Sequence, residues 1–239
     1  MPSVPDGERI YAIGDLHGRD DLLARMLARI ATDDAGRAAV DVRRIILIGD
    51  YVDRGPSSFG VIERLTRHWP DGFTPTFLKG NHEVMMIDAI DEVDRDAMLL
   101  WLLNGGQSTI DSYQAAADAA AGEPMPMRGE MPMPRHHWQF LMGLQLKAVH
   151  GDYMFVHAGI RPGVPVEEQV ERDLVWIREP FLSHSGLLDK IVVHGHTPVD
   201  RPDVRRHRIG IDTGAVFSGR LTALRLEGTT REFIEVEAD

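Results

Sequence analysis

The chain has 239 residues, no cysteine and a net charge of −11, from 26 basic and 37 acidic residues. The lack of cysteine excludes disulfides and thiolate metal sites, so any bound metal must be held by histidine, carboxylate or amide groups. The negative charge disfavours binding to nucleic acid or anionic membranes. Because no apolar run reaches the roughly 20 residues of a membrane span and no secretion signal is recognisable, we expect a soluble, cytoplasmic protein.

Three strand–loop–helix units follow one another in the first part of the chain. The apolar run Ile10–Ile13 ends at the loop GDLHG, and helical spacing follows over 20–30. The run RRIILIGD leads into a second loop and a helix that ends at Pro70, and TPTFLKGNHE leads into a helix beginning near Val84. This repetition predicts an α/β sheet with its site-forming loops at the carboxyl ends of the strands.

The central part of the chain has a different pattern. Residues 94–121 have a helical composition, with a helix end expected at Gly105 or Gly106. The segment GEPMPMRGEMPMPRHHW then carries four prolines within eleven positions, which disfavours a helix or a central strand. We expect a flexible Met/Pro-rich surface loop around 122–135, with a lip over the site as the alternative.

The last part of the chain is richer in strands. LQLKAVHGDYMFVHAG predicts a hairpin that turns at Gly151 and Asp152, and a strand from Ile191 to Val193 leads into HGHTP. No linker separates this part from the first half. The sequence therefore predicts one domain over residues 1–239.

Charged or metal-ligating side chains recur where the predicted strands end. GDLHG places Asp15 and His17 two positions apart, so both side chains can point to the same side. GDYVDRG, KGNHE, FVHAG and VVHGHT add further carboxylate, amide and imidazole groups. Each motif alone has a simpler explanation, such as a helix-capping aspartate, a surface Asp53–Arg54 pair or a core histidine. Together they favour a metal site.

Five motifs, GDLHG, GDYVDRG, KGNHE, VHAG and HGHT, resemble in order and spacing those of the calcineurin-like metallophosphoesterases, in particular the phosphoprotein phosphatase family. NHEVMMID, WLLNGG and DTGAVFSG resemble the bacterial and bacteriophage branch typified by the bacteriophage lambda protein phosphatase. The resemblance covers roughly Ile10 to Gly228, and residues 115–134 have no counterpart. It implies an α/β fold in which two mixed β-sheets pack as a sandwich flanked by helices (α/β/β/α).

The same resemblance implies a centre of two divalent metal ions, with manganese expected and iron or zinc as alternatives. It implies six protein ligands: Asp15 and His17 to one ion, Asn81, His157 and His196 to the other, and Asp50 to both. In such a centre a metal-bound hydroxide attacks phosphorus in line, and no covalent enzyme intermediate forms.

Four further residues are expected to act on the substrate. His82 is the expected general acid, and Asp53 is expected to orient its imidazole and raise its pKa. Arg54 offers a planar group for phosphate oxygens, and Arg178 in LVWIREP resembles a second phosphate-binding arginine, with a surface ion pair as the alternative. Glu83 is expected to be the first-turn acid of the following helix.

The implied activity is that of a metal-dependent serine/threonine protein phosphatase, with phosphotyrosine as a further possible substrate. Its partners would be phosphorylated proteins or peptides, and a monomer is favoured. One alternative is a hydrolase of diadenosine tetraphosphate or another small phosphoanhydride. That group tends to carry alanine in place of Asp53 and GNHD in place of the GNHE that ends at Glu83. A non-catalytic binding protein on the same fold is disfavoured, because every expected ligand is present.

Overall fold

The structure of the protein is a computed structural model that describes residues 1–91, 95–120, 125–129 and 131–239. The strands are β1 (Glu8–Ile13), β2 (Val42–Leu47), β3 (Thr74–Phe77), β4 (Met127–Arg128), β5 (Met131–Pro132), β6 (Lys147–His150), β7 (Tyr153–Val156), β8 (Ile191–His194), β9 (Asp203–Val204), β10 (Arg208–Gly210), β11 (Arg220–Glu227) and β12 (Thr230–Glu237). The helices are α1 (Asp20–Ala35), α2 (Ser58–Arg67), α3 (Asn81–Asp91), α4 (Arg95–Leu103), α5 (Gly106–Ala119), α6 (Arg135–Met142), α7 (Glu171–Trp176) and α8 (Ala215–Ser218).

The first large sheet has the strand order β12-β11-β1-β2-β3. Its strands β1, β2 and β3 pair in parallel, with Ile13 beside Leu47 and Leu47 beside Phe77. β11 runs antiparallel to β1, and β12 runs antiparallel to β11. The parallel pairs confirm the three predicted strand–loop–helix units. They also bring the carboxyl ends of β1, β2 and β3 to one edge of the sheet.

The second large sheet has the order β6-β7-β8-β10-β9. β7, β8 and β10 are parallel, and β6 and β9 pair antiparallel at its two edges. The hairpin of β6 and β7 turns at Gly151 and Asp152, as predicted. The carboxyl ends of β7 and β8 therefore lie side by side.

The two large sheets pack against each other, as the side chains of β1 show. Ile10 and Ala12 lie in an apolar cluster with Phe155 of the second sheet, while Tyr11 and Ile13 pack in the cluster that contains α1. Alternate strand residues point to opposite faces, so β1 is buried on both. All four side chains are fully buried. This confirms the predicted sandwich with helices outside it.

One helix boundary differs from the prediction and another agrees with it. α3 begins at Asn81 rather than near Val84, so the last three residues of KGNHE lie in its first turn. The helix end predicted at Gly105 or Gly106 is confirmed: Gly105 takes a left-handed conformation (φ 105°) that separates α4 from α5. Within the described parts of the chain, none of the helices combines the length and apolar character that crossing a membrane requires.

The Met/Pro-rich segment differs from the solvated surface loop that we expected. Residues 122–124 and 130 lie outside the described residues, and β4 and β5 form a short hairpin. Met131 and Met133 are buried in the core, and α6 follows Pro134 directly. The prolines are compatible with this structure because both strands have only two residues and Pro134 precedes the first helical turn. The flexibility of the segment stays a prediction.

Candidate metal centre and active site

Loops from both large sheets meet at one place and carry the six predicted metal ligands. The loops after β1 and β2 and the first turn of α3 contribute from the first sheet, and the loops after β7 and β8 contribute from the second. Each ligand side chain belongs to a residue at most 6% exposed. The predicted ligands are Asp15, His17, Asp50, Asn81, His157 and His196. Buried polar groups in this number require partners or cations.

Asp50 lies between two groups of nitrogen and oxygen donors. Its Oδ2 is 3.4 Å from His17 Nε2, and its Oδ1 is 3.4 Å from His157 Nε2. On the second side, Asn81 Oδ1 lies 2.9 Å from His157 Nε2 and 2.9 Å from His196 Nδ1. The two oxygens of one carboxylate therefore face two separate donor groups, which is the arrangement that a bridging ligand needs.

The donor set fits two cations. Asp15 Oδ1 and His196 Nε2 are buried and have no hydrogen-bond partner in the described part of the chain. Burial raises the pKa of Asp15 well above its usual value, and the charges of Asp212 and Asp50 raise it further. Three neighbouring buried carboxyl groups repel one another when ionised, so bound cations would stabilise them.

The histidines of this centre are neutral, as metal ligands must be. Burial lowers the pKa of His17 and of His196 to about 3. It also lowers the pKa of His157 below its usual value, against the opposing charge of Asp50. His157 Nδ1 bonds the Ile48 carbonyl at 2.9 Å, which leaves Nε2 as the nitrogen that faces the centre.

Backbone strain is concentrated at this centre. Among the described residues, every non-glycine residue with a positive φ lies in the loops just described. Such conformations cost about 1–3 kcal/mol each and persist where the surrounding structure imposes them. The five residues are His17 (φ 45°), Asp50 (φ 51°), Asp53 (φ 72°), Arg54 (φ 67°) and His196 (φ 63°).

Two glycines allow the ligands to approach the neighbouring backbone closely. A Cβ atom at Gly80 would lie 2.1 Å from Asp50 Oδ1, and one at Gly195 would lie 2.0 Å from Asp15 Oδ1. Both distances are far below van der Waals contact, so no side chain fits at either position. The glycines of KGNHE and HGHT therefore make room for the carboxylates of other loops.

Asp53 and His82 form a buried pair beside the metal ligands. Asp53 Oδ2 is 2.7 Å from His82 Nδ1, and both side chains are nearly inaccessible to solvent. Trp101 Nε1 donates to the same carboxylate at 2.9 Å, and Thr109 Oγ1 donates to it at 2.7 Å. With three neighbouring donor groups, Asp53 is held in one orientation. His82 in turn lies among the donor atoms around Asp50.

Arg54 and Arg178 line the same cavity of about 350 Å³, which also exposes His17, Asp50, Asn81 and His82. Arg54 Nη1 lies 2.8 Å from His17 Nε2. Both arginine side chains are exposed, which leaves their donors accessible to an anion. Asp53 does not line this cavity, because it lies behind His82.

Asp212, Trp101 and Thr109 were missed as site residues in the sequence. Asp212 follows β10, is 4% exposed and also lines the cavity. The sequence around Asp212 has the pattern that identified the other predicted site residues, an aspartate with a nearby glycine directly after an apolar strand. Trp101 and Thr109 had no such signal, because they approach Asp53 from helices far along the chain.

Glu83 has a second role besides that of a first-turn acid of α3. Its carboxylate accepts backbone N–H groups of Asp50 at 2.9 Å, Tyr51 at 2.7 Å and Gly80 at 2.9 Å. Burial raises the pKa of this carboxyl to about 7, with the Asp50 charge adding to the shift and the Gly80 N–H opposing it. Glu83 therefore fixes the loop that carries Asp50.

Substitution Glu83→Gln is expected to destabilise the protein by about 1–3 kcal/mol. The glutamine amide would direct an N–H₂ group at backbone N–H donors, leaving buried donors without acceptors. Urea unfolding measures the change, with Glu168→Gln on the exposed turn Val166–Glu168 as the control. Equal midpoints for the two variants would contradict this role of Glu83.

Comparisons with known proteins agree with this geometry. The sequence model of the calcineurin-like phosphoesterases matches residues 8–219. The chain is 30% identical to serine/threonine-protein phosphatase 1 of Salmonella typhimurium over 223 residues, covering 91% of this chain and 92% of that one. It is 28% identical to the asymmetrical bis(5′-nucleosyl)-tetraphosphatase PrpE of Halalkalibacterium halodurans over 233 residues, covering 89% and 88% of the two chains.

Solved structures show the same fold. A candidate diadenosine tetraphosphatase matches with a TM-score of 0.67 at 20% identity, over 100% of this chain and 97% of that one. A cold-active protein tyrosine phosphatase matches with a TM-score of 0.61 at 19% identity, over 97% and 81% of the two chains. With the matched sequence motifs and the donor groups around Asp50, these comparisons show that the chain belongs to the calcineurin-like phosphoesterases, phosphoester hydrolases that use divalent metals.

Proposed function

We propose that this protein is a metal-dependent serine/threonine protein phosphatase. The observation that carries the proposal is the 2.7 Å contact between His82 and Asp53 next to the metal ligands. A serine or threonine side chain leaves phosphorus as an alkoxide, a strong base that requires a proton. The phosphate released from a phosphoanhydride is a weak base at neutral pH and does not. A general acid positioned in this way therefore favours hydrolysis of alcohol phosphomonoesters over hydrolysis of phosphoanhydrides.

We assign the metal ligands as the sequence predicts, with Asp50 shared between two ions. The neutral imidazoles, the Asn81 amide and the carboxylates suit Mn²⁺, Fe or Zn²⁺, and we propose Mn²⁺ for activity. Two such ions would supply an activated water and stabilise charge on the phosphoryl group. The monomeric state and the cytoplasmic location stay predictions.

Side chains of the protein itself would donate the proton and bind the phosphate. His82 donates a proton from Nε2 to the leaving oxygen, while Asp53 accepts a hydrogen bond from its Nδ1–H group and stabilises the imidazolium. Arg54 and Arg178 bind the non-bridging phosphate oxygens from two sides of the cavity. The substrate class is supported by the relative from Salmonella typhimurium that is named as a serine/threonine phosphatase.

Hydrolysis of diadenosine tetraphosphate is the second candidate function. Phe217 lines the cavity and is 73% exposed, with the Arg54 guanidinium 6.0 Å from its ring centre, so the exposed part of the ring can stack on a nucleobase. The relative from Halalkalibacterium halodurans is named as a dinucleoside tetraphosphatase. This reading predicts that Phe217→Ala lowers turnover of the dinucleotide much more than that of a phosphopeptide.

Side-by-side turnover of a phosphoserine peptide and diadenosine tetraphosphate with Mn²⁺ tests the two functions. We expect kcat/KM to be at least about tenfold higher for the peptide, a difference of about 1.4 kcal/mol in transition-state binding. A higher value for the dinucleotide would replace the first function by the second. A lack of turnover of the phosphopeptide, the dinucleotide and para-nitrophenyl phosphate with manganese, nickel, cobalt or zinc would contradict both.

Replacing Arg178 by alanine is expected to lower kcat/KM for a phosphopeptide by about 10- to 100-fold. This corresponds to the roughly 1.5–3 kcal/mol of one hydrogen bond to a charged group. Arg172→Ala is the matched control, because Arg172 lines a neighbouring groove instead. Steady-state kinetics with both variants measure the difference, and equal values would place Arg178 outside the phosphate site.

A further inference from the structure

Glu63, His136 and His137 form a second group of metal-ligating side chains outside the centre described above. Glu63 lies on α2, and the two histidines lie in the first turn of α6. Glu63 Oε2 is 2.8 Å from His136 Nε2 and 2.8 Å from His137 Nε2. His137 is fully buried, while Glu63 and His136 are partly exposed. The group is thus anchored in the protein and open to solvent on one side.

His136 Nε2 has two neighbours of opposite hydrogen-bonding character. His136 Nε2 lies 3.2 Å from Arg67 Nε, which can only donate, and 2.8 Å from the Glu63 carboxylate, which can only accept. With a proton, Nε2 donates to the Glu63 carboxylate, and Arg67 also pairs with the other oxygen of that carboxylate. A metal ion in place of that proton would attract both the nitrogen and the carboxylate.

His137 is already oriented as a ligand. Its Nδ1 lies 2.9 Å from the hydroxyl of the buried Tyr113 on α5, so the opposite nitrogen points to Glu63. A hydrogen bond to the far nitrogen fixes the ring in the way that is typical of metal-binding histidines. Burial lowers the pKa of His137 to about 4, which leaves the imidazole neutral at physiological pH.

We propose that Glu63, His136 and His137 bind one divalent transition-metal ion, for which Zn²⁺ is the best match. Two imidazoles and one carboxylate are common zinc ligands, and a water can complete the tetrahedron on the exposed side. Ligand atoms about 2.0–2.1 Å from a tetrahedral ion lie about 3.3 Å apart. The two 2.8 Å distances from Glu63 Oε2 to the Nε2 atoms of His136 and His137 therefore need to increase by only about half an ångström.

Arg67 does not block the site. Its side chain is 58% exposed, and it also pairs with the other Glu63 oxygen, Oε1, at 3.3 Å. It can therefore leave His136 while keeping its contact with Glu63, or extend into solvent. The bound ion would join α2 to α6, and through Tyr113 it would orient α5. Since Ser58 of α2 and Thr109 of α5 both bond Asp53, the ion would stabilise the scaffold behind the candidate acid.

Zinc binding to the intact protein, stripped of metal with a chelator, tests this site. Equilibrium dialysis against low-micromolar Zn²⁺ followed by metal analysis compares the wild type with His136→Ala, His136→Gln and the control His68→Ala, which removes an exposed histidine just after α2. We expect both His136 variants to bind one ion fewer than the wild type, and His68→Ala to bind the same number. Phosphatase activity with Mn²⁺ should be unchanged in all of them.

Thermal unfolding gives a second readout. Added Zn²⁺ should raise the Tm of the wild type by several degrees more than that of either His136 variant. If the His136 variants and the control bind as many ions as the wild type, the site does not exist. The test is separate from the proposed function, because a loss of one ion at His136 would stand even if the Asp50 centre failed to bind two.

Discussion

Replacing Asp50 by asparagine is expected to remove the metal ions of the candidate active site and to lower phosphatase activity by on the order of 10³-fold or more. The reason is that Asp50 faces His17 with one oxygen and His157 with the other, each at 3.4 Å. Asparagine has a single, neutral oxygen and cannot bridge two ions. Two metals together supply several kcal/mol of transition-state stabilisation, and each 1.36 kcal/mol is a factor of ten in rate.

Metal analysis of the purified variant and turnover of para-nitrophenyl phosphate measure this effect. Asp111→Asn on the exposed face of α5 is the control, because it removes the same charge from the surface. A variant that keeps its metals and its turnover would contradict the bridging role.

Asp50→Asn also distinguishes the two proposed metal sites. The group of Glu63, His136 and His137 shares no residue with the Asp50 centre. The variant should therefore retain the Zn²⁺ bound by that group. We expect Asp50→Asn to bind one ion, and the double variant with His136→Ala to bind none. This result would distinguish an ion that stabilises the scaffold from the ions needed for activity.

The site residues that could be predicted from the sequence are those that lie just after the predicted strands. Asp15 and Asp50 follow the apolar strands β1 and β2, and the parallel pairing of these strands brings their ends to one sheet edge. His157 follows β7 of the second sheet in the same way. The local pattern thus predicts which strand ends carry these side chains, whereas their assignment as ligands came from the family resemblance and stays a prediction. Asp212 has the same pattern after β10, and the same rule would have found it.

The part that the sequence could not predict depends on tertiary contacts. Trp101 and Thr109 reach Asp53 from 48 and 56 residues away along the chain. The left-handed conformation of Asp53 and Arg54 is imposed by the surrounding loops and has no local signal, since neither residue is a glycine. The burial of Met131 could not be predicted for a similar reason, because a proline-rich composition does not reveal which helices cover a segment.

Replacing His82 by asparagine is expected to leave the metal content unchanged and to lower kcat for an alkyl phosphate by about 10²- to 10⁴-fold, the usual contribution of a general acid. An aryl phosphate should lose much less, because its phenolate leaving group needs little protonation. Metal analysis and kcat on the two substrates test this, with His68→Asn as the control on the surface. Equal losses on both substrates would contradict the role of His82 as the acid.

The pH dependence of kcat tests the pairing of His82 with Asp53. In the metal-free protein, burial lowers the pKa of His82, but the carboxylates of Asp50 and Asp53 more than offset this. Bound cations would cancel the effect of Asp50, whereas Asp53, which bonds the ring directly, would still raise the pKa. A general acid is active while protonated, so kcat should fall as the pH rises through this pKa. In Asp53→Asn the supporting charge is lost, and the fall should begin at lower pH. If the alkaline limb stays in place in Asp53→Asn but the protein is less stable, Asp53 has only a structural role.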